Sequence, residues 1–293
     1  MIDGELKVIS QAWECQKAAG IDCIPVKIEP YLRVVHADLD VRYDLDPTEA
    51  GQCLEIGSKR IIWVNGTHSP ERQRFTVLHE IAHLYLGLRS QHGRALPVDV
   101  LFRYSNKPRE EILCDVFAGE CLFPRRLFAA DLAKCACEMD SVKKLANDYG
   151  ASLTATGSRF AAYSKDACAW ILADDRKVRY VSSSAALRDT GFWLSIGVEV
   201  PKHTVLGKLI AGTGNGTHDT VPTFAWTSNE CKGIAEFSEE AILVPSLSQG
   251  MALIWAEEPA GQESLGAAAR SEEDELLPEL DGKLQFNKRY RRK

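Results

Sequence analysis

The chain has 293 residues, 45% of them hydrophobic and 26% charged, with a net charge of −6 at neutral pH. That length suits two modest domains with extra elements, and the acidic balance gives no reason to expect a nucleic-acid binder overall. The start, Met1-Ile2-Asp3-Gly4-Glu5, lacks the apolar core of a secretion signal. No apolar run reaches the roughly 18 residues that cross a bilayer, so a cytoplasmic protein without membrane contact is expected. Nine cysteines, an odd number, argue for reduced thiols. The close pair Cys135 and Cys137 is a poor metal signal and reads as packing or surface thiols.

The first informative element in chain order is the strand at 61–64, which precedes a helix and could pair with an extended substrate by strand addition. In the helix that follows, Phe75, Val77, Leu78, Ile81, Ala82 and Leu84 leave few polar sides, as in a buried helix. Inside it lies His79-Glu80-Ile81-Ala82-His83, an H-E-x-x-H pattern. Residues four apart share a helix face, so both imidazoles can reach one metal ion. Glu80 projects about 100° from His79, near enough to take a proton from water activated at that ion. Buried imidazoles and a buried carboxylate need partners to offset their desolvation. A metal meets that need; the alternative is two histidines satisfied by ordinary core hydrogen bonds.

A hydrolytic zinc site takes three protein ligands and leaves one position open. Pro108 and Pro124 frame a second helix. At helical spacing Glu111, Asp115, Ala118 and Leu122 share one stripe, with Cys114 and Cys121 beside it. A carboxylate beside small apolar residues is odd in solvent and sensible on a metal, which makes Glu111 the candidate third ligand. Asp115, one turn on, could accept a hydrogen bond from the far nitrogen of a ligand histidine. The competing reading treats Glu110 and Glu111 as helix-start charges that favour the macrodipole, and Glu110 fits it. Zinc is the expected ion from ligand type, while two histidines and a carboxylate also suit iron(II).

Residues 89–107 are polar and read as a loop, with His92, Arg103 and Tyr104 as unassigned candidates for stabilising an oxyanion. Residues 141–152 and 154–160 suit a helix-turn-helix pair around Gly150. Basic residues are few there, so a structural pair is preferred to a DNA reader. Short apolar runs at 170–172, 178–181, 193–196, 223–226, 241–244 and 252–255 read as strands of a mainly β region. The glycine-rich stretch from Gly212 to Gly216 has no helix after it and reads as a turn. Residues 259–293 run acidic and then basic, as a solvated tail does, and a weak nucleic-acid contact through the last six is the alternative.

Taken together, Arg72-Gln73-Arg74-Phe75-Thr76-Val77-Leu78-His79-Glu80-Ile81-Ala82-His83 resembles the R-x-R-F-T-x-x-H-E-x-x-H segment of ImmA/IrrE-type metallopeptidases. Glu111-x-x-Cys114-x-x-Phe117-Ala118, followed by Leu122-Phe123-Pro124, resembles that family's E-x-x-A-x-x-F-A helix. The resemblance covers roughly residues 8–127. It departs at Cys114, where alanine is usual, and at Gly87, where many members show histidine; neither is a proposed ligand. It implies an α+β fold, with a zincin-like metallopeptidase domain over 1–130 and a small helix-turn-helix-like segment over 131–165. A mainly β, sensor-like domain over 166–258 and a charged tail over 259–293 complete the expected organisation. It further implies that His79, His83 and Glu111 hold one zinc ion and that Glu80 is the general base. The implied activity is a zinc endopeptidase cleaving a protein partner, a helix-turn-helix repressor, to control stress-response or mobile-element genes. Two other roles stay open: a non-catalytic, zinc-containing regulator that binds DNA or a partner, and the antidote half of a toxin–antidote pair.

Overall fold

The chain begins with α1 (Glu5–Ala19) and α2 (Ile28–Val35), followed by β1 (Ala37–Arg42), β2 (Gly51–Ile56) and β3 (Lys59–Asn65) in a computed structural model that describes residues 4–89, 108–174, 176–244 and 249–256. The three strands form a sheet in the order β1-β3-β2, with β3 parallel to β1 and antiparallel to β2. Ile62 and Val64 alternate into the core, while Trp63 faces the other way beneath the Arg42 guanidinium at 4.7 Å. The sequence offers 61–64 as a strand for substrate pairing. As β3, that segment is the central strand and both of its edges are already used, so strand addition there is excluded. The edge strands on either side of it are β1 and β2.

Helix α3 (Pro70–Leu86) has strong punctuation at both ends. Ser69 Oγ accepts the Arg72 N–H, Pro70 fills the first turn, and Gly87 closes the helix with φ +65°. Helix α4 (Arg109–Leu122) follows and is buried along most of its length. The buried Glu120 carboxylate helps fix α4, receiving the Arg159 guanidinium at 2.6 Å and the Trp13 indole N–H at 3.2 Å. Such a buried pair is costly to break from one side. Helices α5 (Arg125–Leu132), α6 (Met139–Tyr149) and α7 (Leu153–Tyr163) complete the helical part, with Gly150 in the left-handed region between the last two.

Beyond α7 come β4 (Cys168–Asp174), β5 (Lys177–Ser183), α8 (Ala185–Asp189), α9 (Val205–Ala211), β6 (His218–Pro222), β7 (Glu236–Val244) and β8 (Gln249–Trp255). The strands form an antiparallel sheet in the order β5-β4-β8-β7-β6. The region is mainly β, and the fold as a whole mixes helices and sheets. Every residue of β4 from Cys168 to Ala173 is buried, because the sheet is covered on both faces. Trp170, Leu172, Met251 and Leu253 join the same buried cluster as α3 and α4. Ala169, Ile171, Ala252 and Ile254 face α8 and α9. Two-sided burial removes the polar alternation of a half-exposed strand.

The contact between α7 and the sheet is close. A Cβ at Gly157 would lie 2.2 Å from the Trp170 ring, a distance no side chain tolerates. Gly157→Ala is therefore expected to destabilise the fold by about 2–3 kcal/mol through overpacking. Urea unfolding checks this, and an unchanged midpoint would show that the helix can shift freely.

Neighbouring carboxylates on β7 reach opposite layers, as alternation along a strand requires. Fully buried Glu239 accepts the Leu206 N–H at 2.8 Å and the Trp226 indole N–H at 3.0 Å, and burial raises its pKa above the usual carboxylate range. Glu240 accepts the Met139 N–H at the start of α6. Both supply acceptors to helix N-termini.

Two expected strands are absent. Residues 193–196 are irregular, with Trp193 68% exposed, and the contact with β5 comes later, at the Lys177–Glu199 bridge. Residues 223–225 form a single 3₁₀ turn after Pro222, which swings the Trp226 indole inward to Glu239. In both places the apolar residues serve packing or lie exposed rather than forming a ladder. Among the described residues, no helix is long and apolar enough to cross a membrane.

Candidate metal centre

Helices α3 and α4 pack side by side, and their facing residues bring His79, His83 and Glu111 together. The potential ligand atoms all lie within 4.8 Å of one another, and all three residues are buried. Glu111 Oε2 is 3.0 Å from His79 Nε2 and 3.5 Å from His83 Nε2, and the two Nε2 atoms are 3.2 Å apart. On the far side of the rings, Asp115 Oδ1 is 2.9 Å from His79 Nδ1, and the Leu88 carbonyl oxygen is 3.3 Å from His83 Nδ1. A carboxylate and a carbonyl are acceptors, so each neutral ring carries its hydrogen on Nδ1 and donates it outward. Both Nε2 lone pairs and a carboxylate oxygen then converge on one point. Three electron-rich atoms so close repel unless a cation lies among them, and imidazole with carboxylate is a donor set that divalent zinc accepts.

A proton can stand in for that cation. Burial works against a charged His79, but its hydrogen bonds to Asp115 and Glu111 outweigh burial and raise its pKa to about 10. Loading the metal-free protein with zinc at pH 8 should therefore release about one proton per ion. A pH indicator in weak buffer reads this, and uptake without proton release would remove His79 from the ligand set.

Glu80, also buried, lies beside the three. Its Oε2 accepts the Cys53 N–H of β2 at 2.9 Å. Because that N–H is not spent on β3, it points along the open edge of β2. Burial, together with the nearby Glu80 carboxylate, pushes the Cys53 thiol up to about 12.

Residues 32–161 match the sequence profile of the IrrE N-terminal-like domain of the M78 peptidases. This stretch belongs to the ImmA/IrrE family. No curated protein matches the chain. Among solved structures, a Mycobacterium tuberculosis transcriptional regulator is similar with a TM-score of 0.56 at 11% identity, over 85% of this chain and 88% of that one. At that identity the likeness is one of fold alone.

The IrrE-type domain contains every residue singled out by the two sequence motifs, and the structure brings His79, His83, Glu111, Asp115 and Glu80 into one buried cluster. His92, Arg103 and Tyr104 lie outside the described residues. Sequence reasoning passes over Cys53, which sits in no motif and on a strand without strong alternation. It places Cys114 beside the Glu111 stripe and notes it as a departure from alanine without giving it a part in the site; the structure sets its Sγ 3.5 Å from His83 Nδ1, with burial raising the thiol pKa.

Asp115 has a testable part in this domain. Asp115→Asn keeps the shape but weakens the acceptor that orients His79, so metal affinity should fall about 10- to 100-fold. Competition with a chelating dye measures it, and an unchanged affinity would mean the ring is oriented by other contacts.

Proposed function

We propose that the chain is a zinc-dependent endopeptidase whose substrate is a protein partner, a helix-turn-helix repressor of stress-response or mobile-element genes. The observation that carries this reading is the convergence of His79, His83 and Glu111 with the Glu80 carboxylate held beside them by a sheet edge. When bound, the ion supplies a Lewis acid that lowers the pKa of water to about 7 and polarises a carbonyl. Glu80 takes the proton of the attacking water and later returns it to the leaving amine nitrogen. The Cys53 N–H keeps that carboxylate aimed, while Asp115 and the Leu88 carbonyl hold the two imidazoles in the tautomer that leaves Nε2 free for a ligand role. The outward N–H and C=O groups of β2 offer an extended peptide a strand to pair with, directly beside Glu80.

On this reading, residues 1–130 carry the chemistry in the cytoplasm, and the β region from 166 onward receives the controlling signal. A DNA-reading role for α7 is less well supported. Ser158 bonds to the Tyr180 hydroxyl at 2.7 Å, the Ser182 hydroxyl donates to the Ser158 carbonyl at 2.8 Å, and Gly157 abuts Trp170, so this helix lies against a sheet. A groove reader needs that kind of helix in the open.

The test is incubation of the zinc-loaded chain with helix-turn-helix repressors from the same genome, beginning with any encoded beside its gene. One new N-terminus is expected, and a chelator should prevent it. An intact repressor, together with an unchanged N-terminal profile of a whole-cell extract, would end the proposal.

A further inference from the structure

Strand β1 forms the second edge of the three-stranded sheet, on the side away from β2 and Glu80. The Arg42 carbonyl accepts the N–H of Gly66, the residue just past β3, at 2.7 Å. The backbone groups of Asp38, Asp40 and Arg42 therefore turn toward β3, and those of Leu39 and Val41 turn outward. Among the described residues nothing pairs with the outward groups, and residues 38–41 are all exposed. An edge of this kind is a template for another strand. The side chains alternate as well. Leu39 and Val41 lie in register with the core residues Ile62 and Val64, yet are 39% and 40% exposed, and Tyr43, one residue past the strand, is 73% exposed. Asp38, Asp40 and Arg42 stand on the opposite face with Trp63. Where α2 meets this edge, Leu32, Arg33, His36 and Leu39 line an open hollow of about 570 Å³.

We propose that two copies of this chain join β1 to β1, antiparallel about a two-fold axis, in one continuous sheet. The charges choose the register. With Val41 on the axis, Asp40 of each copy lies opposite Arg42 of the other, and two ion pairs form on the Trp63 face. On the helix side Val41 meets Val41, and Leu39 meets Tyr43 at the mouth of the hollow. Leu39 and Val41 supply their outward N–H and C=O groups to the new ladder. Moving the axis to residue 40 sets Asp40 against Asp40, and moving it to residue 42 sets Arg42 against Arg42. A slip by one residue in either copy sets outward backbone groups against inward ones. Charged residues that blunt an edge against other strands thus admit one partner, a second copy. The contact uses the same patch on both sides, so it closes after two chains. It consumes neither the β2 edge nor any residue of the metal centre, and so stands whether or not the chain cleaves proteins.

Sedimentation equilibrium of the full zinc-loaded chain, kept reduced so that the exposed Cys23 cannot link copies, reads the association over a range of concentrations. A monomer–dimer equilibrium is expected. Asp40→Arg sets like charges against each other at both pairs and should weaken the dimer on the order of 10- to 100-fold, as should Arg42→Asp. Mixing the two variants should restore association, because each carries the charge that the other now needs. Asp40 is exposed, so its variant should keep the wild-type melting temperature and zinc content, which separates a lost contact from a lost fold. If Arg42→Asp does not fold, the response of Asp40→Arg decides alone. A wild-type chain that stays monomeric up to about 1 mM would leave the β1 edge to some other occupant and overturn the proposal. A dimer that Asp40→Arg leaves unchanged would do the same, and so would two folded variants that stay apart when mixed.

Discussion

Glu80→Gln is expected to keep the metal and lose the cleavage. Loss of a general base of this type costs about 10²- to 10⁴-fold, so kcat/KM should fall by roughly a thousandfold. Glutamine has the same shape, and its amide oxygen can still accept the Cys53 N–H that holds the native carboxylate at 2.9 Å. It cannot take a proton from water. The candidate ligands His79, His83 and Glu111 are untouched, so metal content by elemental analysis should match the wild type. Single-turnover cleavage of the proposed repressor substrate supplies the rate. Cleavage at the wild-type rate would remove Glu80 from the chemistry, and loss of metal would show that it serves the site structurally.

Glu111→Ala should act on the other half of the problem. It removes the only carboxylate oxygen among the three converging groups, leaving two imidazoles on one helix. Affinity for zinc should fall by well over the roughly 10- to 100-fold that loss of an outer hydrogen-bond partner costs. The metal-free protein gives an independent reading. His79 has its pKa raised from 6.5 to about 10 in the fold, against burial, by Asp115 and Glu111. A raised value of this kind stabilises the fold fully below the unfolded pKa near 6.5, and the contribution fades as pH rises through about 10. Metal-free wild type should therefore lose stability between pH 6.5 and 10, and Glu111→Ala should lose less over the same range. Thermal melts across that window measure both. Equal pH profiles would mean that Glu111 does not hold the His79 proton.

The metal cluster is legible in the sequence because its information is local. His79 and His83 are one turn apart, Glu111 and Asp115 are one turn apart, and helix periodicity alone puts each pair on one face. Only the meeting of the two helices needs the fold, and the apolar character of both segments already points to their packing. Cys53 could not be found this way. Its bond to Glu80 spans 27 residues and depends on which strand forms the sheet edge. That order is set by non-local pairing: β1 joins β3 across β2, so the strand next in line before α3 becomes the centre of the sheet. The errors at 193–196 and 223–226 have a different origin. Apolar and β-branched residues mark burial and packing as well as strands, and Trp226 is apolar because it fills the core beneath Glu239. The run at 170–172 is read correctly as strand, yet nothing in it says that both faces are covered.

The interlock of Gly157 with Trp170 bears on how this protein could be re-engineered. A foreign C-terminal module grafted after residue 165 would leave α7 facing a surface it was not shaped for. The workable seam lies upstream, so that helix and sheet travel as one cassette, and any transplant that respects it must also carry a partner for the bare amide of Met139.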